Sequence, residues 1–369
     1  MTLKISNNEN FTIMTYYRIL LTNVILLFSV TFVSADVVIN EENFPDENFR
    51  GWILSQEYGK DGVLTDEEIA GITHIMLYNK KIHSLKGIEH FTALVELDCD
   101  ANQLTILDVS KNTALKTLCC CVNKLNSLDV SKNTMLEELN CSFNQITSID
   151  VSKNVSLKRL GCGGNNTLTS IDLSKNTMLK ELSCRNNLIT SLDLSQNCEL
   201  EGLWCCENQL TSLDLSNCPM LRDLYCIQNN LRTLNVSGCE KLEQINCFKN
   251  QIKGEAMDAF IDGLRSFRGP GHLAIVSLEN EQNVMTTSQA KAARAKGWIP
   301  RYEYGSFGTH GWTEYKGEDD ATGIGAIADL PSKTKETFDL QGRRIGKPQK
   351  GVNIIRNADG TTKKVLMKQ

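Results

Sequence analysis

Fourteen cysteines are the residues of this 369-residue chain with the most obvious chemical potential, and eight of them keep a fixed interval. Cys99, Cys120, Cys141, Cys162, Cys184, Cys205, Cys226 and Cys247 recur every 21 residues, with one interval of 22. Such a row could be a disulfide framework, a line of metal-binding thiolates, or a set of small hydrophobes. Side chains in register on parallel strands stand about 4.8 Å apart, whereas the Cβ atoms of a disulfide lie near ~3.8 Å. No His keeps phase with the row, and zinc needs four converging ligands. The row is therefore expected to be apolar filling. Of the other six, Cys119, Cys121 and Cys206 are expected to face outward, and Cys218 and Cys239, with Cys198 one place off, are a candidate disulfide pair.

Other chemistry is thinly represented. His74, His83, His90, His272 and His310 show no phase with a Ser or Cys nucleophile, and no G-x-S-x-G, H-E-x-x-H or phosphate-cradling Gly loop is present. Gly161-Cys162-Gly163-Gly164 falls inside a repeat strand. No catalytic residue and no cofactor is expected. Asp61-Gly62-Val63-Leu64 with Glu68 matches the second half of a calcium-binding EF-hand loop, but the first and third ligand places fall on Glu57 and Gly59. Asp61 and Glu68 are thus a weak calcium candidate set beside a plain helix-turn-helix, and no other metal site is expected.

The elements that hold these residues follow from the period. From Leu94 the unit reads L-x-x-L-x-C-x-x-N-x-L-x-x-L-D-V-S-x-N-T-x, and it recurs from Leu115, Leu136, Leu157, Leu179, Leu200, Leu221 and Leu242; a divergent unit without the Cys starts at Ile72. In L-x-x-L-x-C the apolar residues point one way and the intervening ones the other, as on a strand. One unit cannot bury that face alone, whereas stacked units share a continuous core. The ninth place carries Asn102, Asn123, Asn144, Asn165, Asn187, Asn208, Asn229 and Asn250, whose carboxamides are suited to pair with buried turn backbone. The pattern resembles the leucine-rich repeat family, in the cysteine-ladder variety of internalin-type bacterial surface proteins. The resemblance covers about residues 72–252 and implies a horseshoe-shaped repeat solenoid with a parallel β-sheet.

The flanks read differently. A composition of 41% hydrophobic and 22% charged residues with net charge -5 excludes a multi-pass membrane protein, a wholly disordered chain and a generically basic nucleic-acid binder. Ile19 to Val33, preceded by Arg18 and followed by Ser34-Ala35, reads as a signal peptide spanning 1–35 with no membrane span after its removal. Residues 36–71 read as a helical N-terminal cap, with a helix over Phe44 to Leu54 and another from Thr65, where Thr65 and Glu68 form a capping box. Repeats fill 72–254. Residues 255–315 read as an α/β cap: helix Glu255 to Phe267, strand Leu273 to Leu278, helix Thr286 to Lys296 and strand Trp298 to Tyr304. A linker over 316–337 leads to 338–369, where eight Lys or Arg face two Asp. Phe338-Asp339-Leu340-Gln341-Gly342-Arg343-Arg344, Lys350-Gly351 and Lys363-Lys364-Val365-Leu366 are similar to the type IX secretion sorting domain. That resemblance implies a small β tail engaging secretion machinery, and a protein secreted by, or displayed on, a two-membrane bacterium.

Function is expected on the concave sheet. Trp204 and Tyr225 hold the fifth place of adjacent units, with Ile227 and Phe248 beside them, and exposed aromatics on a rigid surface are typical binding anchors. The expectation is a non-catalytic protein that binds an extracellular protein or glycan in adhesion or recognition; a structural spacer without a specific partner is the alternative.

Overall fold

The computed structural model describes residues 36–266, 270–277, 281–304 and 311–318, and the strand segments 336–338, 344–345, 351–356 and 362–367. The expected signal peptide, and residues 319–335 of the expected linker, lie outside the described residues.

Each unit folds as one rung of a solenoid. A short antiparallel pair, β1 (Val37–Val38) and β2 (Val63–Leu64), precedes β3 (His74–Met76). Parallel strands then follow one per unit: β4 (Glu96–Asp98), β5 (Thr117–Cys119), β6 (Glu138–Asn140), β7 (Arg159–Gly161), β8 (Glu181–Ser183) and β9 (Gly202–Trp204). After β10 (Ser212–Asp214) come β11 (Asp223–Tyr225), β12 (Thr233–Asn235) and β13 (Gln244–Asn246), then β14 (Gly271–Ser277), β15 (Trp298–Tyr304) and β16 (Gly311–Glu314). All except β1, β2, β10 and β12 form one twelve-stranded sheet running from β3 to β16; β10 and β12 make a separate parallel pair on the return side. Register holds like against like, Leu118 to Leu139 and Leu139 to Leu160, so the apolar faces merge. Leu94, Leu97 and Cys99 are fully buried, and so are their counterparts in almost every rung. Burying one Leu contributes roughly 1.5–3 kcal/mol.

The asparagine places show how the rungs are tied. Asn144 Nδ2 donates to the carbonyls of Cys120 (2.9 Å), Cys141 (3.1 Å) and Ser142 (3.3 Å), while its Oδ1 accepts from Leu125 N at 3.0 Å. Similar bonds recur from Asn102 to Asn250. The residue before each Asn is left-handed: Ala101, Val122, Phe143, Asn186, Glu207, Gln228 and Lys249 have φ between 52° and 56°, and Gly164 has 69°. A non-Gly residue there costs about 1 kcal/mol or more, which the carboxamide bonds offset. The extra residue of the 22-residue interval is Asn166, because Asn165 keeps the ladder bond from Ile146 N (3.0 Å).

A second asparagine column, not singled out in the sequence, runs along the return side. Asn112, Asn133, Asn154, Asn176 and Asn197 are fully buried, and each amide donates to two carbonyls of the preceding rung, as Asn133 does to Val109 and Asn112 (both 2.9 Å). Cys218 and Cys239 continue this column. Both are free thiols, bonded to Leu194 O (3.9 Å) and Leu215 O (3.2 Å), so the candidate disulfide is not formed. Each sulfur takes an asparagine's place against backbone one rung back.

On the same side, Asp108, Asp129, Asp150, Asp172, Asp193 and Asp214 each accept the amide of the Ser two residues on, for example Ser152 N at 2.8 Å. These Ser bonds hold all six carboxyls below their usual range. A carboxyl depressed in the fold stabilises above its unfolded pKa, about 3.9, and that contribution vanishes as pH falls through the folded value. Acid unfolding should therefore steepen below about pH 4. A chain with all six changed to Asn should show a flatter stability profile there; an unaltered profile would contradict this assignment.

The terminal elements differ in detail from expectation. The first helix is Glu47–Ser55, N-capped by Asp46, and the second is Asp66–Gly71 with the Thr65–Glu68 capping box in place. Beyond the last rung, helix Glu255–Gly263 ends earlier than its apolar spacing suggested, because Gly263 and the extended Leu264 break it. Met257, Phe260 and Ile261 pack into the core, and helix Thr287–Ala295 carries its own capping box. Both β14 and β15 continue the sheet in parallel, and β16 closes it antiparallel.

One buried carboxylate serves each end. Asp46 accepts Asn48 N and Phe49 N (both 3.0 Å), His83 N (2.7 Å) and Ser84 N (3.1 Å), pinning the first helix to the first rung. Glu281 accepts Lys249 N (2.9 Å), Ser277 N (2.7 Å), Gln282 N (3.1 Å) and Asn283 N (2.8 Å). Asn283 then acts as a ninth ladder residue, donating to Cys247 O (2.9 Å) and Ile275 O (2.8 Å) and accepting Ile252 N (2.8 Å). In the C-terminal segment, β17 (Glu336–Phe338), β18 (Arg344–Ile345), β19 (Gly351–Arg356) and β20 (Thr362–Met367) form an antiparallel sheet in the order β18, β17, β19, β20.

Candidate functional site

The outward residues of the sheet form columns, one residue per rung. Trp204 and Tyr225 are in register on β9 and β11, with ring centroids 6.2 Å apart and planes inclined by 21°. Both are half-buried, as is Ile227 on the rung of Tyr225. The Trp204 ring fills the space over Gly202, where a Cβ would come within 2.5 Å of it, so a side chain at that place would displace the indole. Glycine two residues before the tryptophan is thus part of the site, a signal legible in the sequence but not read there. Phe248 departs from expectation: it is only 5% exposed, on the last rung before the sheet passes into β14, and offers no free face.

Around the pair the surface is charged. Asp223 precedes Tyr225 by one inward residue; burial first, and Glu243 second, raise its carboxyl above the usual range. Burial likewise raises the Tyr225 phenol. Farther along, Arg159 bonds Glu138, and the Arg185 guanidinium sits 5.7 Å over the Phe143 ring. Gly163 and Gly164 make room for that contact: a Cβ on either would meet Arg185 or Phe143 within 3 Å. Arg185 was expected among the charged outward residues of this face; Phe143 belongs to it too, although sequence reading did not select it.

The thiols are placed for packing. All eight ladder sulfurs are buried, and burial pushes each thiol far up, Cys162 and Cys226 among them. Cys119 and Cys206 are half-buried on the outward side, raised by burial to about 12 and about 11. Cys121, expected outward, is 9% exposed, its amide held by Asp100 at 2.5 Å. Because the thiolate is the nucleophile, iodoacetamide at pH 8 should label Cys198, the exposed one, and leave the ladder unreacted until denaturant is added. Rapid native labelling of ladder peptides, read by mass spectrometry, would contradict the buried column.

The calcium candidates have other work. Glu68 Oε2 accepts Thr65 N (2.9 Å) and Thr65 Oγ1 (2.8 Å), and Asp61 Oδ1 accepts Val63 N (3.1 Å), so both carboxylates cap backbone. Among the described residues no group of three or more His, Cys, Asp or Glu is arranged for a metal ion. Thr73 Oγ1 lies 2.8 Å from His74 Nδ1 and His74 Nε2 3.6 Å from Glu96, but that His is 57% exposed.

Residues 134–176 match the family model for leucine-rich repeats in two copies. A 70-residue segment is 40% identical to internalin J of Listeria monocytogenes serotype 4b (strain F2365), covering 19% of this chain and 8% of that protein. The solved functional domain of the Listeria monocytogenes internalin J, which includes a cysteine ladder, superposes with a TM-score of 0.51 at 30% identity, over 68% of this chain and 61% of that one. A second Listeria internalin, inlF, superposes at 0.61 and 22% identity, over 73% of this chain and 79% of the other. The fold is a leucine-rich repeat solenoid of the internalin type. Within it, the leucine-rich repeat sheet carries the aromatic pair on its outward face, and no described helix is long and apolar enough to cross a membrane.

Proposed function

We propose that this chain is a non-catalytic secreted or cell-surface recognition protein that binds an extracellular protein or glycan through the concave sheet of its repeats. Trp204 and Tyr225 are its anchors and Ile227 their apolar neighbour. One observation carries the reading: two near-parallel aromatic rings, 6.2 Å apart and half exposed, stand on a rigid surface whose other outward residues are mostly polar. Large rings that already lack rotamer freedom bind with small entropic cost and dominate interface energetics. The internalin-type fold supports the same role. Export by the segment 1–35 and delivery through the basic tail 338–369 are part of this proposal.

The test compares retention of the purified chain on extracted host and bacterial surface material with that of the Trp204→Ala/Tyr225→Ala double variant. Retention should fall at least about tenfold while the unfolding transition stays in place. Undiminished retention would favour the spacer, in which the solenoid only sets a distance.

A further inference from the structure

Resting on that reading of the aromatic pair, we propose that the site takes a cationic side chain, an arginine of a polypeptide partner, with the guanidinium over Trp204 and Tyr225 and its charge met by Asp223. The first support is a charge left over. On the outward columns the cations are engaged: His74 faces Glu96 at 3.6 Å, Arg159 bonds Glu138, Arg185 covers Phe143, and Arg301 lies 3.3 Å from His272. Among the described residues neither Asp223 nor Glu181 makes an ion pair in contact, although Arg222 and Arg159 respectively lie near enough to be felt. Arg222, next to Asp223 in sequence, lies in a neighbouring column and draws the carboxyl down, but burial and Glu243 outweigh it and the two side chains make no contact ion pair. A half-buried carboxylate with no cation in contact gains from one that reaches it.

The surroundings support the same occupant. Planar guanidinium groups stack on aromatic faces and spread their donors in a fork, which a point-charge ammonium does not. Ile227 offers apolar surface for the alkyl stem. One rung beyond Tyr225, Asn246 is 3% exposed and its Oδ1 has no hydrogen-bond partner, so the border of the site on that side is polar but covered. The chain already makes this kind of contact within itself, where Arg185 covers Phe143 on the same face. A neutral sugar could use the rings and donate hydroxyls to the carboxylate but would bring no positive charge to it.

The experiment titrates the full chain with hexa-arginine, hexa-lysine and maltohexaose by calorimetry at physiological salt. Hexa-arginine should bind more tightly than hexa-lysine, and Asp223→Asn or Trp204→Ala should each weaken it about tenfold or more. Asp98→Asn, on the same face six rungs away, should leave it unchanged. Equal losses from Asp98→Asn and Asp223→Asn would reduce the effect to diffuse attraction and overturn the proposal. So would maltohexaose binding that needs Trp204 in a chain indifferent to hexa-arginine. Unfolding transitions matching the parent exclude misfolding as the cause. If Asp223→Asn retains surface material that Trp204→Ala/Tyr225→Ala does not, the recognition face stands and the cationic partner falls. If even the double variant retains it, the recognition reading itself fails.

Discussion

Asn144→Ala should lower folding stability by about 3–5 kcal/mol, a large loss for one exchange outside the leucine core. The carboxamide holds three carbonyls and the Leu125 amide across two rungs. Truncation leaves several of those buried groups without a partner, at about 1–3 kcal/mol each. Rungs contact only their neighbours, so the loss also weakens the coupling that makes the array cooperative. Urea denaturation should show a lower midpoint, with a changed slope if the array splits into two units. The return-side column provides the contrast. Asn154 Oδ1 already lacks a partner, and Cys occupies the equivalent place at 218 and 239, so Asn154→Cys should cost no more than about 1 kcal/mol. Equal costs for the two exchanges would show that the ninth-place amide is not what secures the rungs.

Removing the end carboxylates should have effects of similar size but local reach. Asp46→Ala strips the acceptor from four backbone amides shared by the first helix and first rung, and Glu281→Ala does the same where the last rung meets β14. Each exchange should destabilise its end by about 3–5 kcal/mol. Hydrogen exchange should register it first at His83 and Ser84, or at Lys249, Ser277 and Asn283, with the central rungs protected as before. Loss of protection spread evenly over the array would mean that the ends are not separate units. Asp46→Asn and Glu281→Gln keep one acceptor oxygen and should fall between the Ala variants and the parent.

Much of this architecture was legible before any coordinate. A period held over eight copies places every Leu, Cys and Asn by phase, and phase is enough to predict a buried thiol column, because alternation along a strand settles which side chains face inward. The Thr65–Glu68 box was equally readable, since a capping motif is local. At the same spot the weak calcium candidates Asp61 and Glu68 are engaged by backbone and the Thr65 hydroxyl, bonds that a motif match alone does not reveal. Cys218 and Cys239 looked like a pair because they share a place, yet that place belonged to asparagines whose partners lie one rung back.

Adjacency of Trp204 and Tyr225 also came from phase, but their use depends on facts no period contains. The sequence could say that Phe248 shares the outward side with Ile227. Only the packing where β13 meets β14 decided that Phe248 is covered and Ile227 is not. Asn283, 33 residues after Asn250, joins the ladder through chain that follows no repeat, and only the packing showed that Arg159 and Arg185 are engaged by Glu138 and Phe143 while Asp223 makes no contact ion pair. Periodic sequence determined the rungs because each meets the same neighbours as the last. Tertiary structure decided the ends and the exposed face, where that sameness stops and burial depends on segments distant in the chain.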